Sequence, residues 1–206
     1  MTQNDLNVQE HTHADHFLHQ LRSRTADSHK RLEELPVSTS ITSPNITKAS
    51  YAHYLQLMGA VIHQTESAIF PKLAHAVPDI DNRHKSKSII ADLKFMGYDL
   101  KSFPPPFTKN IDSEAFALGI MYVVEGSTLG GRFILKNIQQ ALGFEQEGTQ
   151  YFSGYGNKTG SSWKHFLDAL TSYEAKNGHM EEIIKGADYA FTAIYDHLKS
   201  HSGHED

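Results

Sequence analysis

The sequence predicts an all-α, single-domain protein, and three observations carry that prediction. Apolar residues recur at three- and four-residue spacing along most of the 206 residues, the period of a helix with one buried face. No segment alternates apolar and polar residues in the way a half-buried strand does. Pro36, Gly97 and Gly143 close periodic stretches, as helix stop signals do. The length suits one core, and neither an internal repeat nor a domain boundary is visible.

The elements follow in order. Residues 1–13 are expected to be a disordered tail, 14–200 the folded domain and 201–206 a flexible end. A first helix is expected from about Asp15 to Leu35, stopped by Pro36. Residues 36–47 read as a Ser/Thr/Pro-rich loop. Thr47 is a suitable N-cap for a helix from Lys48 to about Ala76, which Pro71 should bend or end early. The next helix runs from about Asp81 to Met96. Pro104-Pro105-Pro106 demands an extended connector. Asp112-Ser113-Glu114 opens a long helix to Leu142. Residues 143–158 read as loop, followed by helices from Thr159 to about Lys176 and from Met180 to about Lys199.

Composition narrows the function. A net charge of −5 argues against a general nucleic-acid binder. The absence of cysteine removes disulfides, thiolate ligands and cysteine nucleophiles, and it suits a reducing cytoplasm, the expected location. No apolar stretch is long enough to span a membrane, and the N-terminus has no hydrophobic signal region. Of the fourteen histidines, His11, His13, His16, His19, His197, His201 and His204 fall toward the ends and read as solvated.

Two helices carry chemistry. In the first, Leu18, Leu21, Thr25, Ser28, Leu32 and Leu35 form the core stripe. Arg22, Ala26, His29 and Glu33 form a second stripe at the same spacing: a cation, a small residue, an imidazole and a carboxylate. Neutral imidazole ligates haem iron, and its other nitrogen needs an orienting acceptor, which Glu33 can supply. The same four residues also fit a solvated face with an i,i+4 His–Glu pair. In the long helix, Gly126, Gly130 and Gly131 interrupt an otherwise buried run, at a cost of about 1 kcal/mol each relative to alanine. Either another helix crosses there or a planar ligand lies against bare backbone. His63-x-x-Glu66, Glu10-x-x-His13 and Asp81-x-x-His84 have metal-ligand spacing, but a di-iron site needs such motifs on facing helices.

The segments Leu21–Glu33, Tyr122–Ile134 and Tyr151–Phe166 resemble the haem oxygenase family, in the bacterial form associated with bacteriophytochromes. The resemblance runs from about Leu18 to Leu198. It implies a single-domain haem-oxygenase-like multi-helix fold with haem between the first helix and a glycine-rich distal helix. It implies a haem-degrading monooxygenase that uses O2 and an external reductant to open haem b, both substrate and cofactor, to biliverdin, CO and ferrous iron. By resemblance His29 is the axial ligand and sole metal-binding residue. Gly126, Ser127 and Gly130 line the catalytic distal side, with Gly131 beside them. Arg22, Tyr122 and Lys164 serve the propionates, while Glu33 and Phe191 complete the pocket. Ser127 departs from the animal-type pattern, which has aspartate there. That departure keeps a second reading open: a haem carrier or sensor of the same fold with little turnover. Implied partners are a ferredoxin or flavoprotein reductase and a bacteriophytochrome receiving biliverdin, and the protein is expected to be a monomer or weak dimer.

Overall fold

The computed structural model describes residues 3–203. Among these there is no strand, and the architecture is a helical bundle: α1 Gln3–Glu33, α2 Pro36–Ser40, α3 Lys48–Gln64, α4 Phe70–Leu73, α5 Ser86–Phe95, α6 Glu114–Leu142, α7 Gln150–Ser153, α8 Thr159–Asn177 and α9 Met180–His201. No described helix is long and apolar enough to cross a membrane.

Four boundaries differ from the sequence reading, each for a local reason. Backbone α1 starts at Gln3 rather than near Asp15; no glycine or proline interrupts residues 3–35. Pro36 starts α2 as well as ending α1, taking the first helical position, where its missing N–H costs nothing. Pro71 has no N–H to return to the carbonyl one turn back. Ahead of it the α3 helix loosens into a π turn, Thr65–Ile69, in which the Phe70 N–H reaches the Thr65 carbonyl. Residues 80–83 form only a 3-10 turn, and α5 begins at Ser86 because Glu66 accepts the backbone N–H of both Lys85 and Ser86. Glu66 also takes the Ser86 hydroxyl, so the His63-x-x-Glu66 carboxylate serves as a helix anchor.

The expected caps form where the sequence places them. Thr47 and Ser50 make a reciprocal capping box on α3. Ser113 accepts the Phe116 N–H at the start of α6, and Gly143, at φ +69°, ends it.

The core lies between α6 and α9, the most extensive pairing, with α1 packed on α9. The α6 and α9 backbones come close at Gly119 and Gly186. A Cβ at Gly119 would run into the Ile183 carbonyl, and one at Gly186 into that of Phe116. His197 is not a solvated end residue: it is 5% exposed and its Nε2 meets the Leu57 carbonyl at 3.0 Å. Burial holds its pKa below the ordinary histidine value. His13 likewise contacts Glu174 of α8.

Candidate functional site

A cavity of about 820 Å³ opens between α1, α6 and α9, within the range of small-molecule and cofactor pockets. Its α1 wall carries the second stripe: Arg22, Ala26, His29 and Glu33 all line it, together with Thr25 and Leu32 at its edge. The reason is the 3.6-residue period. Phe17, Leu21 and Thr25 turn inward and are buried, so residues one position on face the adjoining cleft. A ring nitrogen of His29 lies 3.3 Å from a Glu33 carboxylate oxygen. The ring also sits beside Phe191 of α9, centroids 5.3 Å apart. His29 lines the cavity with its side chain 55% exposed.

The opposite wall is α6. Gly126, Ser127, Gly130 and Gly131 line it, and the glycines divide by what surrounds them. A Cβ at Gly130 would meet nothing within 4 Å, while one at Gly131 would come within 3.3 Å of the Phe152 carbonyl. At Gly126 the neighbour is the Trp163 ring, 3.5 Å from the added carbon. Helix crossing therefore explains Gly119 and packing against α7 explains Gly131. Gly130 is bare backbone facing the cavity, and Gly126 faces it with one aromatic neighbour. Ser127 donates its hydroxyl to the Val124 carbonyl at 2.7 Å.

Gly119→Ala and Gly130→Ala should accordingly behave in opposite ways. The first forces α6 and α9 apart and lowers the thermal midpoint by an overpacking cost of about 1–3 kcal/mol. The second leaves stability unchanged or raised by up to about 1 kcal/mol, the helix-propensity gain. Thermal denaturation of the two variants measures this directly; equal destabilisation would show that Gly130 is also a packing residue.

Arg22 from α1 and Tyr122 from α6 both line the cavity. Burial raises the Tyr122 pKa, and Arg22 partly offsets it. The two expected propionate contacts are thus brought together. Lys164 is not: it lies outside the cavity lining and donates to Asp168 one turn on, at 2.9 Å. Its neighbour Trp163 takes the inward position on α8, and successive helical residues point about 100° apart.

The structure also shows the partners of Glu125, a residue whose sequence position already suggested structural contacts, and further groups that the sequence reading did not single out. Glu125 is 1% exposed and anchors a buried charge network. It accepts from Arg83 at 2.6 Å, from Lys85 at 2.7 Å and from the Tyr155 hydroxyl at 2.8 Å. Arg83 continues to Asp79 and to the Ser162 carbonyl. The network fixes α6 one residue before Gly126, and Lys85 itself lines the cavity. Only Glu125 carried a sequence signal, as a carboxylate inside an apolar run. Half-buried Tyr54 and buried Tyr151 add two phenols to the lining, both with pKa values raised well above the ordinary range by desolvation. Among the described residues, no group of three or more His, Asp or Glu could hold a metal ion.

Known proteins are similar to this chain in fold and in sequence. The NO- and CO-bound heme oxygenase from Neisseria meningitidis has a similar fold, with a TM-score of 0.76 at 24% identity over 92% of this chain and 94% of that one. Heme oxygenase-1 from the cyanobacterium Synechocystis, solved in complex with heme, gives 0.72 at 17% identity over 89% and 91%. In sequence, "Heme oxygenase PigA" of Pseudomonas aeruginosa is 26% identical over 176 residues, 85% of this chain and 87% of that protein. The family model described as "Heme oxygenase" matches residues 15–199.

Proposed function

This chain belongs to the haem oxygenase family, and we propose that it binds haem b between α1 and α6 and degrades it with O2 and an external reductant. The products are biliverdin, CO and ferrous iron. The observation that carries the reading is the pairing of two walls. The stripe Arg22, Ala26, His29 and Glu33 faces a helix whose Gly130 has open space where a side chain would be.

The residues suit the group. His29 would ligate the iron, with Glu33 holding the imidazole's orientation and Phe191 beside the ring. A neutral imidazole supports cycling between ferric and ferrous iron. Haem bound here supplies both the iron that activates oxygen and the ring that is opened. Gly126 and Gly130 allow close approach on the distal side, because no Cβ intervenes. Arg22 and Tyr122, both in the cavity lining, would supply donors to the propionate carboxylates. Such a pair at a solvent rim contributes only about 0–1 kcal/mol, so its role is to set the haem's rotation and hence the ring edge attacked. The electrons would come from a ferredoxin or a flavoprotein reductase, and a bacteriophytochrome is one destination for the pigment.

One observation favours a haem carrier or sensor instead. Ser127 supplies no carboxylate, and its hydroxyl already donates into its own helix. Haemin added under air with ascorbate separates the readings. The proposed function gives one bound equivalent, followed by loss of the haem spectrum and growth of bile-pigment absorption. A persistent ferrous or oxygenated spectrum without pigment supports the carrier.

A further inference from the structure

The α2 turn closes one end of the cavity, and a side chain of α6 holds it there. Ser38, Ile41 and Thr42 line the cavity. Val37, Ile41 and Ile46 root the turn, at 7%, 3% and 6% exposure, so it is a packed wall rather than a loose flap. Thr39, Ser40 and Thr42 donate their hydroxyls to carbonyls within the turn. Among the described residues, the long-range hydrogen bonds of this turn both come from Asn137. Its Nδ2 donates one hydrogen to the Ile41 carbonyl at 3.0 Å and the other to the Ser43 carbonyl at 2.9 Å. Ile41 is the C-cap of α2, where carbonyls lack a helical partner, so the amide satisfies a group that the turn cannot. Asn137 is outside the cavity lining and reaches the pocket through α2.

This wall stands at the end of the cavity farther from Arg22 and Tyr122. On α1 the lining runs from Arg22 to Glu33, about 16 Å at the usual helical rise, and α2 follows at once with Leu35 as its N-cap. On α6 the lining runs from Tyr122 to Ile134, and Asn137 lies about one turn beyond. The two ends differ in charge. One has the Arg22 cation; the other has the Glu33 carboxylate and the neutral Ser38, Ile41 and Thr42. Haem b carries both propionates on one edge. Coulomb attraction to Arg22 and repulsion from Glu33 turn that edge away from α2, and the apolar opposite edge meets the wall.

Resting on the haem-binding reading, we propose that Asn137 is a positioning residue: by fixing the α2 wall it sets how deeply the apolar ring edge seats, and so which ring carbon stands opposite Gly126 and Gly130. Ser38, Ile41 and Thr42 make the contact. Asn137 holds them in register.

Asn137→Leu tests this, since it keeps the size of the side chain and removes both donors. The expected variant binds haem. The proton spectrum of its ferric cyanide complex shows a changed pattern of ring-methyl shifts, which report how the ring sits in the pocket. The ratio of biliverdin isomers moves by about fivefold, the equilibrium effect of one net hydrogen bond. Asn137→Asp, of nearly the same shape but unable to donate, also moves both. Ser38→Leu fills the wall from the cavity side and moves the methyl pattern with Asn137 in place. Should neither Asn137 variant fold, Ser38→Leu decides: a moved pattern supports the wall and an unmoved one overturns it. An unchanged methyl pattern and isomer ratio in Asn137→Leu with haem bound, even with stability lowered, makes Asn137 a packing residue and overturns the proposal. A parent that holds haem without degrading it removes the turnover reading alone, and the methyl pattern then decides this one. A parent that binds no haem removes the underlying reading, and this inference with it.

Discussion

His29→Ala should abolish haem turnover, lowering it by about 100-fold or more, while much of the haem affinity remains. Loss of an orienting neighbour alone costs about 10–100-fold at metal sites, and the ligand itself matters more. Affinity survives because burial of the porphyrin against the largely apolar cavity supplies much of it. The imidazole leaves a gap on the α1 wall beside Phe191, and Ala26 one turn earlier adds no bulk there. Added imidazole should therefore enter and restore both the ligated spectrum and part of the turnover. The absorption spectrum and the single-turnover rate, with and without imidazole, measure this. Full activity in the alanine variant would remove His29 from the site.

The largest stability effect is expected at Glu125. Replacing it with alanine leaves Arg83 and Lys85, 1% and 7% exposed, as neighbouring buried cations. Arg83 keeps Asp79 and Lys85 keeps Tyr155, but the central negative charge is gone. Breaking such a cluster costs about 3–5 kcal/mol, which for a chain of this size lowers the thermal midpoint by roughly 10 °C. Glu125→Gln keeps the shape and part of the hydrogen bonding and should lie between. Glu125→Leu with Lys85→Leu should recover stability, because removing a pair together avoids the uncompensated charge. Haem affinity should fall in Glu125→Ala as well, since Gly126 follows directly. A thermal midpoint within about 2 °C of the parent would show that the buried pairs contribute little to holding α6, given that about 1 kcal/mol moves it by ~2–4 °C.

The site was legible in proportion to its locality. The α1 stripe was readable because one period fixes both of its faces, and the cavity lies where the second stripe points. The glycine-rich helix was readable as unusual but ambiguous. Gly119, which makes the close crossing, and Gly130, which faces the cavity, look alike in sequence. They differ only in what lies opposite, and that is set by α9. The Glu125 network was invisible for the same reason: Arg83 and Lys85 are some forty residues away from their partner. Tyr151 sat in a segment read as loop, and only the Asp92 carboxylate of α5, which accepts its backbone N–H, shows why the turn is ordered there. Lys164 shows the limit of register: one residue along α8 separates the cavity from solvent. The short elements α2 and α7 also escaped notice, being too brief to show a period.

The central claim is that the chain opens haem rather than merely holding it. The direct measurement is the gas and pigment released when one equivalent of haemin on the protein is reduced under air. CO should be released in proportion to the haem consumed, with biliverdin extracted from the same sample and free ferrous iron captured by a chelator. Haem recovered intact, or bleached without CO or biliverdin, would contradict it.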